Sequence, residues 1–115
     1  MCGIAGWIDF ARDLTGKQRL MEAMTTPLYS RGPDAAGVWT SRHAALGHRR
    51  LIVVDPAWGQ QPMVRRYGGH EYVITYNGEL YNTAELRQKL ISRGHLFYTD
   101  NSDTEVLLVA YIEWR

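Results

Sequence analysis

The chain opens on an alternating pattern. Cys2, Ile4, Ile8 and Phe10 fall on one alternating set, with Gly3 and Gly6 between them, which predicts a half-buried strand beginning at Cys2. Thr15-Gly16-Lys17-Gln18 then has the form of a capping box, and Leu20, Met21, Met24 and Leu28 mark one apolar helical face. Pro27 should end that helix near Thr26. Arg31-Gly32-Pro33-Asp34-Ala35-Ala36-Gly37 is a turn-forming segment, in which Arg31 and Asp34 can brace the loop by pairing across Gly-Pro. Val38-Trp39-Thr40 and Ala44-Ala45-Leu46-Gly47-His48 read as short strands joined by a turn around Ser41-Arg42. The apolar run Leu51-Ile52-Val53-Val54 follows, closed by Asp55-Pro56, and the stretch from Ala57 to Met63 reads as irregular.

Tyr72-Val73-Ile74-Thr75-Tyr76 is rich in β-branched and aromatic residues and predicts a strand. Asn77-Gly78 comes directly after it and before Glu79-Leu80-Tyr81, so local pattern favours a type I′ hairpin turn there. Asn82-Thr83-Ala84-Glu85 should cap a helix carrying Leu86, Leu90 and Ile91, with Gly94 as its C′ residue. Ser102-Asp103-Thr104-Glu105 is a second capping box. Its helix presents Leu107, Ala110, Tyr111 and Trp114 at i, i+3, i+4 and i+7. An acid at position 103 complements the helix dipole whatever else it does. Periodicity alone thus gives a mixed α+β domain.

Composition narrows this picture by exclusion. A chain of 115 residues is one domain at most. A formal charge of +1 leaves no electrostatic footprint for nucleic acid or an anionic membrane. One cysteine excludes a disulfide framework and fits a reducing, cytoplasmic setting. No apolar run is long enough to span a bilayer and no signal-like segment precedes Cys2, so neither secretion nor a membrane partner is expected. His43, His48, His70 and His95 lie far apart without metal-ligand spacing and read as ordinary surface or core histidines. No metal is expected.

The single cysteine is the chemical candidate. Cys2 sits directly behind a methionine, and trimming of that residue would leave one residue carrying both a thiol and an α-amine. An α-amine titrates near ~7.7–8.0 and a thiol near ~8.5. The amine can therefore serve as general base for its own thiol. Taken by itself, a cysteine so near a terminus is more often an incidental thiol.

Five segments in order change that balance: Cys2-Gly3-Ile4-Ala5-Gly6, Arg31-Gly32-Pro33-Asp34, Gly47-His48-Arg49-Arg50-Leu51, Tyr76-Asn77-Gly78-Glu79-Leu80-Tyr81-Asn82 and Ser102-Asp103-Thr104-Glu105. Together they resemble the N-terminal glutaminase domain of class II glutamine amidotransferases. Within that family they look most like the glutamine-hydrolysing asparagine synthetase branch. The resemblance implies that Cys2 attacks the glutamine carboxamide, with Asn77 and Gly78 forming the oxyanion hole. It further implies that Arg50, with Leu51 and Val53, holds the substrate α-carboxylate, and that Glu79 and Asp103 receive its α-ammonium group. Arg49 is then a neighbour of the clamp, and Arg31 and Asp34 are structural.

The fold implied is the four-layer α/β/β/α sandwich of N-terminal nucleophile hydrolases, of which residues 1–115 would be the N-terminal portion. The expected substrate is L-glutamine and the expected partner a C-terminal synthetase domain outside this chain. ATP and magnesium belong to that absent domain, so no cofactor is expected here. A homodimer is a further expectation for the full-length protein. Two readings stand beside this one: an amidotransferase domain of a related natural-product or peptide-modifying enzyme, and a truncated, non-catalytic fragment.

Overall fold

A computed structural model describes residues 2–52 and 59–115. The chain divides into two compact units. The first comprises Met1–Ile52, Gln60–Pro62 and Thr75–Asn77; the second comprises Val53–Gly59, Met63–Ile74 and Gly78–Arg115.

Three strands and a helix build the first unit: β1 (Gly3–Ile8), α1 (Gln18–Thr25), β2 (Ala35–Thr40) and β3 (Ala44–Arg50). The sheet is antiparallel in the order β1-β3-β2, with Gly3 opposite Arg49 and Gly37 opposite His48. Alternation along these strands sorts the side chains onto two faces. One face packs Ala5, Trp7 and Val38 against a core of Leu14, Met21 and Ala45. Glycines allow α1 and the turn that follows it to lie this close: a Cβ on Gly47 would overlap the Thr25 hydroxyl, and one on Gly3 would meet Leu28 Cβ at 2.8 Å.

The strand expected at Cys2 is present, but the face it buries is the other one. Ile4, Ile8 and Phe10 are exposed, Phe10 by 80%, because α1 covers the Gly3, Ala5 and Trp7 side. The first capping box does not form either. The N-cap is Lys17 without a side-chain bond, since Thr15 donates its hydroxyl and its N–H to Asp13 Oδ1 at 2.6 and 2.9 Å. Those two bonds hold the Asp13 carboxyl below its ordinary range. Helix α1 does end at Thr25, where a 3₁₀ turn over Thr26–Leu28 accommodates Pro27.

The second unit contains β4 (Met63–Tyr67), β5 (His70–Ile74), α2 (Thr83–Ser92) and α3 (Asp103–Trp114). β4 and β5 form an antiparallel hairpin, closed at Gly68-Gly69, whose φ values of 59° and 81° require residues without a Cβ. The tight turn expected at Asn77-Gly78 lies here instead, nine residues earlier, and among the described residues no strand follows Ile74. Helix α2 ends as the sequence implies, with Gly94 at φ 94°. Leu90, Val106 and Val109 form the core between α2 and α3, with Leu86 and Phe97 packed against it.

Helix α3 is apolar nearly all the way round, so its period could not say which stripe is innermost. Val106, Val109 and Ile112 are buried, whereas the expected stripe of Leu107, Ala110, Tyr111 and Trp114 borders a groove of about 740 Å³ against β5. No helix of the described residues is long and apolar enough to cross a membrane. The architecture is therefore α+β with antiparallel sheets.

Candidate active site

Pairing of β1 with β3 brings the lone cysteine to one end of the first unit's sheet. Cys2 precedes the Gly3–Arg49 pair and Arg50 follows it, so both lie on the face turned away from α1. Cys2 is half-buried. Its Sγ lies 3.4 Å from the Leu51 N–H, which donates to it, and 3.8 Å from the Leu51 carbonyl. The Cys2 carbonyl accepts from Arg31 Nε at 3.2 Å. Backbone and side chain of this residue are thus held from separate directions.

Arg50 is 8% exposed. Its carbonyl accepts from Asp34 N–H at 2.9 Å, and Asp34 Oδ2 accepts from Ile52 N–H at 2.7 Å. Asp34 therefore splints residues 50–52. Arg49 points to the opposite face, where Nε donates to the Gly32 carbonyl at 2.9 Å and the guanidinium lies 4.9 Å over the Tyr29 ring. A Cβ on Gly32 would collide with Arg49 and come within 2.6 Å of Arg50 N, so only glycine lets this turn lie along β3. Arg31 and Asp34 do brace the loop, but by reaching across to Cys2 and Ile52 rather than by pairing with each other. Val53 and the Asp55-Pro56 stop lie outside the described residues.

Asn77 is exposed and belongs to the first unit; Gly78 and Glu79, also exposed, belong to the second. The residues leading to Asn77 are tied to β3 and to Gln61. Thr75 Oγ1 donates to the Gly47 carbonyl at 3.5 Å, Tyr76 N–H donates to Gln61 Oε1 at 2.5 Å, and His48 Nε2 lies 3.2 Å from the Tyr76 carbonyl. His48 is 1% exposed. Burial pushes its imidazole below the ordinary value and the Arg50 charge pushes the same way, against the opposing effect of the Tyr76 carbonyl. From sequence this histidine reads as an ordinary surface or core residue; it is a core one, and only its place between Gly47 and Arg49 on a strand could have suggested an inward side chain.

In the second unit, Asp103 stands in the first turn of α3 and its Oδ2 accepts from Leu80 N–H at 3.1 Å, directly beside Glu79 in sequence. The second capping box forms by half. Ser102 Oγ accepts from Glu105 N–H at 3.2 Å, but the Glu105 carboxylate does not return to Ser102. It accepts instead from Tyr98 N–H at 2.8 Å, from Thr99 N–H at 2.9 Å, from the Thr99 hydroxyl at 2.6 Å and from Arg65. Burial alone would raise this carboxyl; the Thr99 and Tyr98 bonds and the Arg65 charge outweigh it and leave it below its ordinary value. Arg87 donates to the Thr99 and Ser102 carbonyls at 2.6 and 3.4 Å, so residues 98–102 are held from both sides.

The structure thus gathers Cys2, Arg50 and Leu51 in one unit, and Asp103 with the Glu79-Leu80 segment in the other. Among the described residues, no three His, Cys, Asp or Glu side chains are grouped to hold a metal ion.

A family model described as a glutamine amidotransferase domain matches residues 1–115. The chain is 53% identical over 115 residues to asparagine synthetase [glutamine-hydrolyzing] 3 of Bacillus subtilis, covering all of this chain and 19% of that protein. It is 38% identical over 117 residues to asparagine synthetase [glutamine-hydrolyzing] 1 of the same organism, covering all of this chain and 18% of that protein. Against asparagine synthetase B [glutamine-hydrolyzing] of Escherichia coli the identity is 36% over 113 residues, 98% of this chain and 20% of that protein. The chain spans about a fifth of the length of these relatives.

Proposed function

The chain belongs to the glutamine amidotransferase domain family, and from that premise we propose that it is the glutaminase portion of an asparagine synthetase. The single observation that carries this reading is the setting of Cys2. Its thiol is held at the Leu51 backbone, at the end of the sheet that also carries the buried Arg50.

In this mechanism Arg50 clamps the α-carboxylate of L-glutamine through its planar fork, with the backbone of Leu51 and Val53 lining the subsite. Glu79 and Asp103 receive the α-ammonium group. Once the residue ahead of Cys2 is removed, the Cys2 α-amine takes the thiol proton as sulfur bonds to the carboxamide carbon. The amide side chain of Asn77 and the N–H of Gly78 stabilise the oxyanion. Collapse breaks the C–N bond, the held proton goes to the leaving nitrogen, and ammonia departs from a thioester. Water then attacks the thioester, releasing glutamate and restoring the thiol.

The fold in this reading is the N-terminal part of the four-layer sandwich of N-terminal nucleophile hydrolases. The ammonia goes to an activated aspartate made by a synthetase domain, which is where ATP and magnesium act. The setting is cytoplasmic, and the whole protein is a homodimer.

The test is Cys2→Ala in the full-length protein that carries the synthetase domain. Ammonia release from glutamine should fall to background while asparagine formation from added ammonia persists. Absence of glutamine hydrolysis in the unaltered protein, or its survival in the variant, overturns the assignment.

A further inference from the structure

We propose that His48 is a positioning residue for the oxyanion-stabilising segment: its Nε2–H anchors the Tyr76 carbonyl and so fixes where Asn77 presents its amide. This rests on the reading of Asn77 as an oxyanion donor.

The geometry leaves one assignment for the ring. A carbonyl oxygen only accepts, so at 3.2 Å from the Tyr76 carbonyl the Nε2 atom must carry the hydrogen. The ring is 1% exposed and sits in mid-strand on β3, whose pairing with both β1 and β2 makes it the central strand. His48 is therefore a fixed post. Residues 75–77 have no strand or helix of their own to hold them. Among the bonds that hold them are Thr75 to Gly47, Tyr76 N–H to Gln61, and His48 to the Tyr76 carbonyl.

The last bond is the one nearest Asn77. The Tyr76 carbonyl belongs to the peptide plane that ends on Asn77 Cα, so releasing it lets that plane turn and carries Asn77 with it. The Gln61 anchor is itself located by Gly37, where a Cβ would overlap the Gln61 carbonyl. Burial and the neighbouring Arg50 charge both disfavour the imidazolium, so the neutral ring with hydrogen on Nε2 is the form that holds the carbonyl.

The experiment compares His48→Phe with His48→Gln in the full chain. Phenylalanine fills the space without a donor, whereas a glutamine amide can donate again. Misplacing a catalytic group by about 1 Å lowers rates by roughly 10²-fold, so His48→Phe should lose roughly 10- to 100-fold in glutaminase kcat, with glutamine KM changed less than about threefold. His48→Gln should recover most of that loss. Iodoacetamide alkylation of Cys2, read by mass mapping of its peptide, should proceed at the unaltered rate in both, because displacement at a saturated carbon creates no oxyanion. If His48→Phe does not fold, His48→Met makes the same comparison with a more pliable side chain.

Unchanged kcat in the donor-less variant overturns the proposal. So does a parallel fall of kcat and alkylation in both variants, which would make His48 a packing residue only. Failure of the unaltered protein to hydrolyse glutamine would instead remove the reading of Asn77 on which the proposal stands, and the two failures are told apart by that control.

Discussion

Replacing Glu105 by glutamine keeps the shape of a side chain that is 1% exposed while removing its charge and one of its acceptors. Oε1 accepts from the Thr99 N–H and hydroxyl, and Oε2 from the Tyr98 N–H and Arg65. A glutamine amide has one accepting oxygen, so its NH₂ must face donors on one side or the other. Turned toward Tyr98, it opposes both an N–H and a guanidinium. Turned toward Thr99, it can donate to the hydroxyl but orphans the Thr99 N–H and faces the Arg87 guanidinium, whose Nη1 lies 3.9 Å from Oε1. The better arrangement still loses one bond to a charged acceptor and the attraction to Arg65 and Arg87, about 2–4 kcal/mol in all.

At 1.36 kcal/mol per decade that loss should speed hydrogen exchange of the Thr99 amide by roughly 30- to 1,000-fold at neutral pH. Exchange within threefold of the unaltered protein would refute the account of this network. The pH dependence carries a definite sign. The folded carboxyl lies below its ordinary value of 4.5, so its contribution is complete above that value and is lost as pH falls toward the folded one. Protection at residues 98 and 99 should therefore hold at pH 6 and be lost only as pH falls below the ordinary carboxyl value toward the lower folded one.

Two further outcomes follow from the proposed site. Asn77→Ala should lower glutaminase kcat by roughly 10²–10³, the usual loss for one oxyanion donor, with a smaller change in KM; an unchanged kcat in steady-state assays would remove Asn77 from the mechanism. Arg50→Lys should raise the glutamine KM by roughly 10-fold or more for one lost charge-assisted bond, whereas Arg49→Ala should raise it less, because Arg49 is engaged with Gly32 and Tyr29. The reverse order of KM values would shift the clamp by one residue.

The elements whose sequence carried a single signal were legible. Gly94 stops α2 and Ser102 starts α3 as their chemistry requires. The errors fell where two signals competed. Asn77-Gly78 outranked Gly68-Gly69 as a turn, and with it β4 was missed, because Arg65 and Arg66 side by side blur the alternation of Met63–Tyr67. Which face of a strand or helix is buried is set by what packs on it. Ile4 and Tyr111 are both exposed for that reason, although the residues themselves suggest otherwise. The candidate site shows the same division. Nothing local to Cys2 says that Leu51 will lie beside it, 49 residues away. The resemblance supplied the roles, while the inward His48, one residue among four scattered histidines, emerged only once β3 had a centre and two neighbours.

The strand order also sets a schedule. Gly3 pairs with Arg49, so the strand that follows Cys2 is made first and waits for a partner made 46 residues later. At ribosomal speeds of about 5–20 residues per second that interval lasts roughly 2–9 s, before any passage through the exit tunnel. Throughout it β1 has no β3 to pair with, and the residues ahead of Gly3 stay outside any sheet. Whatever lies ahead of Cys2 can be cut away while the chain is still growing. The closing of β3 then brings the Leu51 N–H to the Cys2 thiol.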